Sequence, residues 1–179
     1  MMILYTFARA DRGMRIIVEQ HTIESRIFPV YCPPMRPESQ SVTMDQRTAV
    51  APCRVWITGA GGLIGNALLQ SASRSVPGRQ VYGTTRQQVD LNNATAVRKA
   101  FQSIQPDVII HCAALTKTAI CDLDPVQART VNIDMTRRLV ELAERIRFVF
   151  FSTDLVFDGR AGQYDETADV NPLSVYGET

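Results

Sequence analysis

The sequence predicts an α/β fold, a doubly wound parallel sheet of about four strands. Three observations carry this. From Arg54 onward, short β-rich apolar runs alternate with segments whose apolar residues recur at helical spacing. The run "DVIIHCAA" is continuously apolar, as a parallel strand covered on both faces must be. A G-x-x-G-x-x-G string, Gly59, Gly62 and Gly65, falls between the first of these strands and the helix after it.

The elements follow in order. "RVWIT" is the first strand, and "LIGNALLQSAS" reads as the helix that the glycine string opens. "QVYGTT" is the second strand, and "ATAVRKAFQSIQ" a helix ended by Pro106. "DVIIHCAA" is the third strand. "DPVQARTVNIDMTRRLVELAERI" reads as one long helix, with Asp124 as N-cap and Pro125 in its first turn. "RFVFFST" is the fourth strand. Residues 1–50 are of another kind: short apolar patches and then "CPPMRPESQSVTMDQRTAVAP", with no sustained period and internal methionines at 14, 35 and 44. They are expected to be a poorly ordered extension or a misassigned start. Residues 51–179 are expected to form the N-terminal part of a Rossmann-like NAD(P)-binding domain.

Composition excludes several classes of function. Apolar residues make up 45% and charged residues 21%, which suits a globular chain. The formal net charge of +1, with no dense basic patch, argues against a nucleic-acid partner. No apolar run approaches the roughly 18 residues that a membrane span needs, and Asp11 interrupts the short apolar start, against a signal peptide. Cys32, Cys53, Cys112 and Cys121 form no Cys-x-x-Cys pair and no zinc-like group with His21 or His111, so no metal is expected. Thiols of this kind fit a reducing cytoplasm. His111 reads as a satisfied histidine of the core or a strand end, and Cys112 as a small buried hydrophobe.

The glycines predict a dinucleotide. One allows a tight turn, one lets backbone approach a pyrophosphate, and one lets the helix lie close on the strand. The helix N-terminus then offers free N–H groups and a positive dipole end to phosphate. At the end of the second strand an acid would hold a ribose 2′-hydroxyl, whereas an arginine accommodates a 2′-phosphate. Here the strand ends "VYGTTR". Arg86 therefore favours NADP, with NAD possible.

The motif Thr58 to Gly65 resembles the T-G-x-x-G-x-x-G of the extended short-chain dehydrogenase/reductase superfamily. The segments "DVIIHCAALT", "VNIDMTRRLVELA", "FFSTDLVFDG" and "NPLSVYGET" resemble the dTDP-4-dehydrorhamnose reductase family more closely, over residues 54–179. The resemblance implies that Gly62, Leu63 and Ile64 lie under the pyrophosphate and that Asp90 and Leu91 lie beside the adenine. Ala113, Ala114 and Leu115 would line the cofactor after the third strand. Thr153 would orient the substrate carbonyl, Asp154 would lie beside it in the substrate site, and Tyr176 would be the catalytic tyrosine.

The implied reaction passes hydride from a nicotinamide to a nucleotide-linked 4-keto-6-deoxy sugar, with Tyr176 protonating the alkoxide. A tyrosine has an unperturbed pKa of about 10, which a nearby cation lowers. In the superfamily that cation is a lysine four residues after the tyrosine, and position 180 lies past Thr179. The later strands and the substrate domain of the family are likewise expected to be missing. The expectation is thus an incomplete sheet with an open edge inviting association, a homodimer being one outcome. Weak cofactor binding and no turnover are expected of such a chain. Two other readings stand beside this one: a nucleotide-sugar epimerase or dehydratase, and a non-catalytic dinucleotide-binding regulatory subunit.

Overall fold

The computed structural model of the chain describes residues 4–10, 13–19, 53–75, 79–165 and 167–179, with side chains over 53–72 and from 79 onward. The sheet contains β1 (Leu4–Ala10), β2 (Gly13–Glu19), β3 (Cys53–Thr58), β4 (Arg79–Thr84), β5 (Val108–His111) and β6 (Arg147–Phe151), in the order β2-β1-β6-β5-β3-β4. The last four of these in sequence are parallel, with Val55 opposite Val81 and Val108, and Val108 opposite Arg147. These are the four strands expected from the sequence, and helices cover both faces.

Strand alternation sorts the core into two layers. Trp56, Ile109 and Phe148 point to one face, where they meet Val97 of α2 (Ala94–Ile104) and Leu139 of a later helix. Val55, Ile57, Val108, Ile110 and Val149 point to the other, where Leu68 of α1 (Leu63–Ser75) closes over them. Trp56 is fully buried, and its indole N–H is satisfied by donating to Thr84 Oγ1 at 2.9 Å. α2 starts where predicted, with the Asn93 side chain accepting from the amides of Thr95 and Ala96. It ends on Gln105 in the left-handed conformation, just before Pro106.

Two departures from the sequence reading concern the remaining elements. The segment read as one long helix is α4 (Pro125–Arg129), a π-helical turn over Thr130–Asp134, and α5 (Met135–Leu142). Asp124 does cap it, accepting from Gln127 N at 2.9 Å, but the amide of Met135 reaches back five residues to Thr130 O. The short helix α3 (Thr118–Leu123) precedes it, and α6 (Val175–Glu178) lies at the other end of the described chain.

The second departure is at the sheet edge. The four parallel strands do not form the whole sheet: β1 pairs antiparallel with β6, Leu4 opposite Phe151 and Phe7 opposite Phe148, so the edges of the described sheet are β2 and β4. β2 then pairs antiparallel with β1, Leu4 opposite Glu19. The main-chain groups of β6 that would have invited association are therefore taken up within the chain. The hairpin falls in the stretch read as a poorly ordered extension or misassigned start; the rest of residues 1–52 lies outside the described residues.

Leu139 is fully buried between Trp56 and Phe148, so Leu139→Ala is expected to lower the unfolding free energy by about 2–5 kcal/mol. Leu123, 85% exposed on α3, supplies the control: its alanine variant should change stability by less than about 0.5 kcal/mol. Urea unfolding of the two variants checks the contrast.

Candidate active site

The glycine loop sits where three strands end. Gly59 has φ +70°, and a Cβ there would stand 2.6 Å from the Ala113 amide nitrogen and 2.8 Å from the Cys112 carbonyl carbon. Both contacts are with backbone, so position 59 excludes a side chain on two counts, conformation and space. The loop is stitched to its neighbours: Ala60 N donates to Thr84 O at 3.0 Å, and Cys112 N donates to Thr58 O at 3.1 Å. Gly65 is buried, and a Cβ on it would collide with the Gly59 carbonyl oxygen. It is the glycine that lets α1 settle onto the loop. Gly62 is different: it is exposed, and its Cβ would meet only Gly59 O, at 3.3 Å. Two of the three jobs assigned to the glycines thus have an observed steric counterpart.

Beside this loop lies a cavity of about 600 Å³. Its walls include Gly59 and Gly62 from the loop, Arg86 after β4, and Asp90 and Leu91 before α2. Ala113, Ala114 and Leu115 form the wall after β5. Leu63 and Ile64 are placed otherwise. Leu63 is 90% exposed at the start of α1, and Ile64 turns into the core layer beside Leu68. Sequence reasoning missed Thr84, Thr85, Gln127, Val131 and Met135, which also line the cavity. Thr85 and Met135 carry no pattern that marks them: Thr85 is brought in by the end of β4, and Met135 only when α5 packs on the face that holds Ile109.

The charged groups at the rim differ in their freedom. Asp90 is exposed, and its carboxylate accepts from Asn92 N at 3.0 Å, which closes the turn into α2. Arg86 is exposed and pairs with no carboxylate among the described residues. No group of three or more His, Cys, Asp or Glu among the described residues could hold a metal ion. No helix among them is long and apolar enough to cross a membrane.

The cavity is of a size for a dinucleotide cofactor. Small side chains and glycine backbone let a ribose and phosphates approach closely, and the first amides of α1 lack partners within the helix. The donor set therefore fits such a group.

Tyr176 and Thr153 lie beside each other. The Tyr176 hydroxyl, half-buried on α6, shares a hydrogen bond with the Thr153 side chain. Thr153 Oγ1 also donates to Asp154 Oδ1 at 3.3 Å and accepts from Leu155 N at 3.2 Å. Burial raises the Tyr176 pKa above 10; the Thr153 hydrogen bond works against this, while Cys121 and the Asp154 charge add to the rise. Gly177 makes this packing possible, since a Cβ there would run into Leu155 O. The proton held at Tyr176 is thus firmly held at neutral pH, the state of a donor rather than a base.

The cofactor wall and the tyrosine helix are joined by Asn132, which sits 6% exposed in the π-helical turn. Its Oδ1 accepts from Leu115 N at 2.8 Å, and its Nδ2 donates to Leu115 O at 3.1 Å and to Thr179 Oγ1 at 3.0 Å. Thr179 Oγ1 in turn donates to Tyr176 O at 3.3 Å. Cys121 Sγ adds a second donor to Leu115 O at 3.3 Å. His111 is buried at the end of β5 with both ring nitrogens in hydrogen bonds, a satisfied core histidine. Burial also pushes the Cys112 thiol up to about 12, which makes it inert.

A second knot holds the loop between Thr153 and Tyr176. Tyr164 donates its hydroxyl proton to Asp158 Oδ1 and stacks on Phe157 at 4.5 Å. Arg160 N and Asn171 Nδ2 also donate to Asp158, at 3.0 and 3.1 Å.

Known proteins resemble this chain in sequence and in fold. Residues 53–179 match the family described as RmlD substrate binding domain, and the chain belongs to that family. It is 36% identical over 130 residues to dTDP-4-dehydrorhamnose reductase of Aggregatibacter actinomycetemcomitans, covering 70% of this chain and 44% of that one. It is 35% identical over 133 residues to methionine adenosyltransferase 2 subunit beta of Bos taurus, covering 70% and 40%. Among solved structures, dTDP-4-dehydrorhamnose reductase of Bacillus anthracis in complex with NADP superposes with a TM-score of 0.63 at 28% identity, covering 73% of this chain and 47% of that one. The chain spans less than half the length of these relatives.

Two outcomes follow from the geometry. Gly59→Ala is expected to cost more than about 1 kcal/mol in stability, because the left-handed backbone alone costs about that before the clash with Ala113 is counted. Gly62→Ala should fold nearly as well as the parent; thermal unfolding separates the two. The three donors, Tyr164 foremost, lower the Asp158 pKa from the usual 3.8 to about 2. A carboxylate lowered on folding stabilises above its unfolded pKa, and that contribution fades as pH falls through the folded value. The 157–171 loop should therefore loosen between pH 3.8 and about 2, followed by NMR of the Asn171 side-chain amide, and Asp158→Asn should remove that transition.

Proposed function

We propose that this member of the RmlD family is the cofactor-binding half of an NADP-dependent reductase of a nucleotide-linked 4-keto-6-deoxy sugar, of the dTDP-4-dehydrorhamnose reductase type. The observation that carries the reading is a single one. The cavity that fits a dinucleotide shares the Leu115 wall with the clamp that reaches the Tyr176 helix. The matched reductases support the same reading.

In this account a bound dinucleotide supplies the hydride. The chain's own residues do the rest. Gly59 and Gly62 keep the loop bare so that phosphates lie against backbone N–H groups. Thr153 meets the substrate carbonyl oxygen, Asp154 contacts the sugar beside it, and Tyr176 delivers its proton to the developing alkoxide. Arg86 takes the 2′-phosphate, since Asp90, the acid among the described residues of the cavity wall, closes its own turn. Leu63 and Ile64 are left with a backbone role, offering their amides at the start of α1.

A second reading has its own support: a non-catalytic dinucleotide-binding subunit. The bovine relative at 35% identity is named as a subunit of methionine adenosyltransferase. Under either reading the cavity binds a dinucleotide, and the two part on turnover and on complex formation.

Arg86→Ala is expected to weaken NADPH about tenfold or more, the worth of a charge-assisted contact, and to leave NADH binding unchanged. Fluorescence titration of both nucleotides tests this; equal losses would remove Arg86 from the 2′-phosphate. Spanning less than half the length of the matched reductases, the purified 179-residue chain should not oxidise NADPH in the presence of dTDP-4-dehydrorhamnose. Measurable turnover would contradict that expectation and would count against the non-catalytic reading.

A further inference from the structure

The hydrogen bonds around His111 admit one arrangement of protons. Thr136 Oγ1 lies 2.6 Å from Asn132 O, 3.0 Å from His111 Nε2, and the other ring nitrogen, Nδ1, lies 2.6 Å from Thr58 Oγ1. A carbonyl oxygen cannot donate, so the one proton of the Thr136 hydroxyl lies on the contact with Asn132 O. Thr136 Oγ1 must then accept from His111, which places the ring proton on Nε2. Nδ1 is bare and accepts from the Thr58 hydroxyl. Burial, which lowers the His111 pKa to about 4, keeps the ring neutral in this form.

This fixes the direction of a continuous chain. It runs from Thr58, at the head of the glycine loop, through His111 and Thr136 to the Asn132 carbonyl. Asn132 stands in the π-helical turn, and the Thr136 hydroxyl bond to the carbonyl four residues back is of a kind that competes with regular helix. The side chain of the same Asn132 grips both polar backbone atoms of Leu115 and the Thr179 hydroxyl. Phe148 and Phe150, with ring centroids 5.9 and 6.0 Å from the imidazole, hold the ring in its plane.

We propose that His111, as the neutral Nε2–H tautomer, is a positioning residue that sets the cofactor wall at Leu115 in register with the Tyr176 helix. It acts through Thr136 and the widened turn that presents Asn132. Its value to a reaction rests on the functional reading above, but its mechanical role does not.

The test uses the 179-residue chain with His111→Leu and His111→Gln. Leucine fills space without donating or accepting, whereas the glutamine amide can donate toward Thr136. In His111→Leu, hydrogen exchange at the Leu115 amide should quicken about tenfold relative to the amides of β3, and His111→Gln should recover most of the protection. NADPH affinity should fall and recover in parallel. Unchanged Leu115 protection in His111→Leu, or an equal rise at every amide with no recovery in His111→Gln, would overturn the proposal. If Leu115 responds as described while even the parent chain binds no dinucleotide, the functional reading fails and the positioning role stands. Should His111→Leu not fold, the imidazole nitrogen NMR shifts of the parent decide: a proton on Nδ1 would overturn the tautomer and the chain built on it.

Discussion

A side chain at position 59 would bring its Cβ within 2.6 Å of the Ala113 amide nitrogen, and the site depends on that near-contact of two backbones. Because β3 and β5 end against each other there, the loop after β3 and the segment after β5 become adjoining walls of one cavity. Cys112 N bonding to Thr58 O extends the ladder past the last paired residues and holds the approach closed. Ala60 N bonding to Thr84 O does the same on the β4 side. The cost of this geometry is a backbone at φ +70° that only glycine adopts freely. Its return is a rim of backbone polar groups facing the cavity.

From that contact the arrangement spreads outward through buried polar side chains. Thr58, His111 and Asn132 are the buried polar residues among those described, and all three belong to the hydrogen-bonded chain between the glycine loop and α6. Polar groups placed so deep are costly unless every donor and acceptor is used, and no buried side-chain polar atom among the described residues is left without a partner. A fully used network of this kind has few alternative arrangements, so it specifies geometry as well as adding stability. The reactive end of the site is set differently. Tyr176 and Thr153 are only half-buried, and the loop that carries them is tied by Asp158 to Tyr164 and Asn171, not by the core.

The parts of this arrangement legible in the sequence are those fixed by local pattern. Trp56, Ile109 and Phe148 alternate with their neighbours, so their strands and shared face follow from period alone. Gly59 and Gly65 could be assigned because the spacing of a strand, a turn and a helix leaves them little choice. Ile64 shows the limit: a motif placed it under a pyrophosphate, but helical rotation carries its side chain into the core. The π-helical turn was not legible, because the side-chain bonds that accompany it reach Leu115 and His111 on another element. The pairing of β1 with β6 escaped for a related reason, as its two strands lie at opposite ends of the chain. Arg86 was legible as a candidate, since it follows the strand directly, although its lack of a carboxylate partner among the described residues needed the structure.

The most direct measurement is a backbone NMR titration of the chain with NADP. The account predicts that the largest shifts fall on Gly59, Gly62 and Leu63 of the loop and helix start, on Arg86, and on Ala113 to Leu115, with smaller ones at Thr179 transmitted through Asn132. No shifts at saturating nucleotide, or shifts confined to surfaces away from the glycine loop, would contradict it.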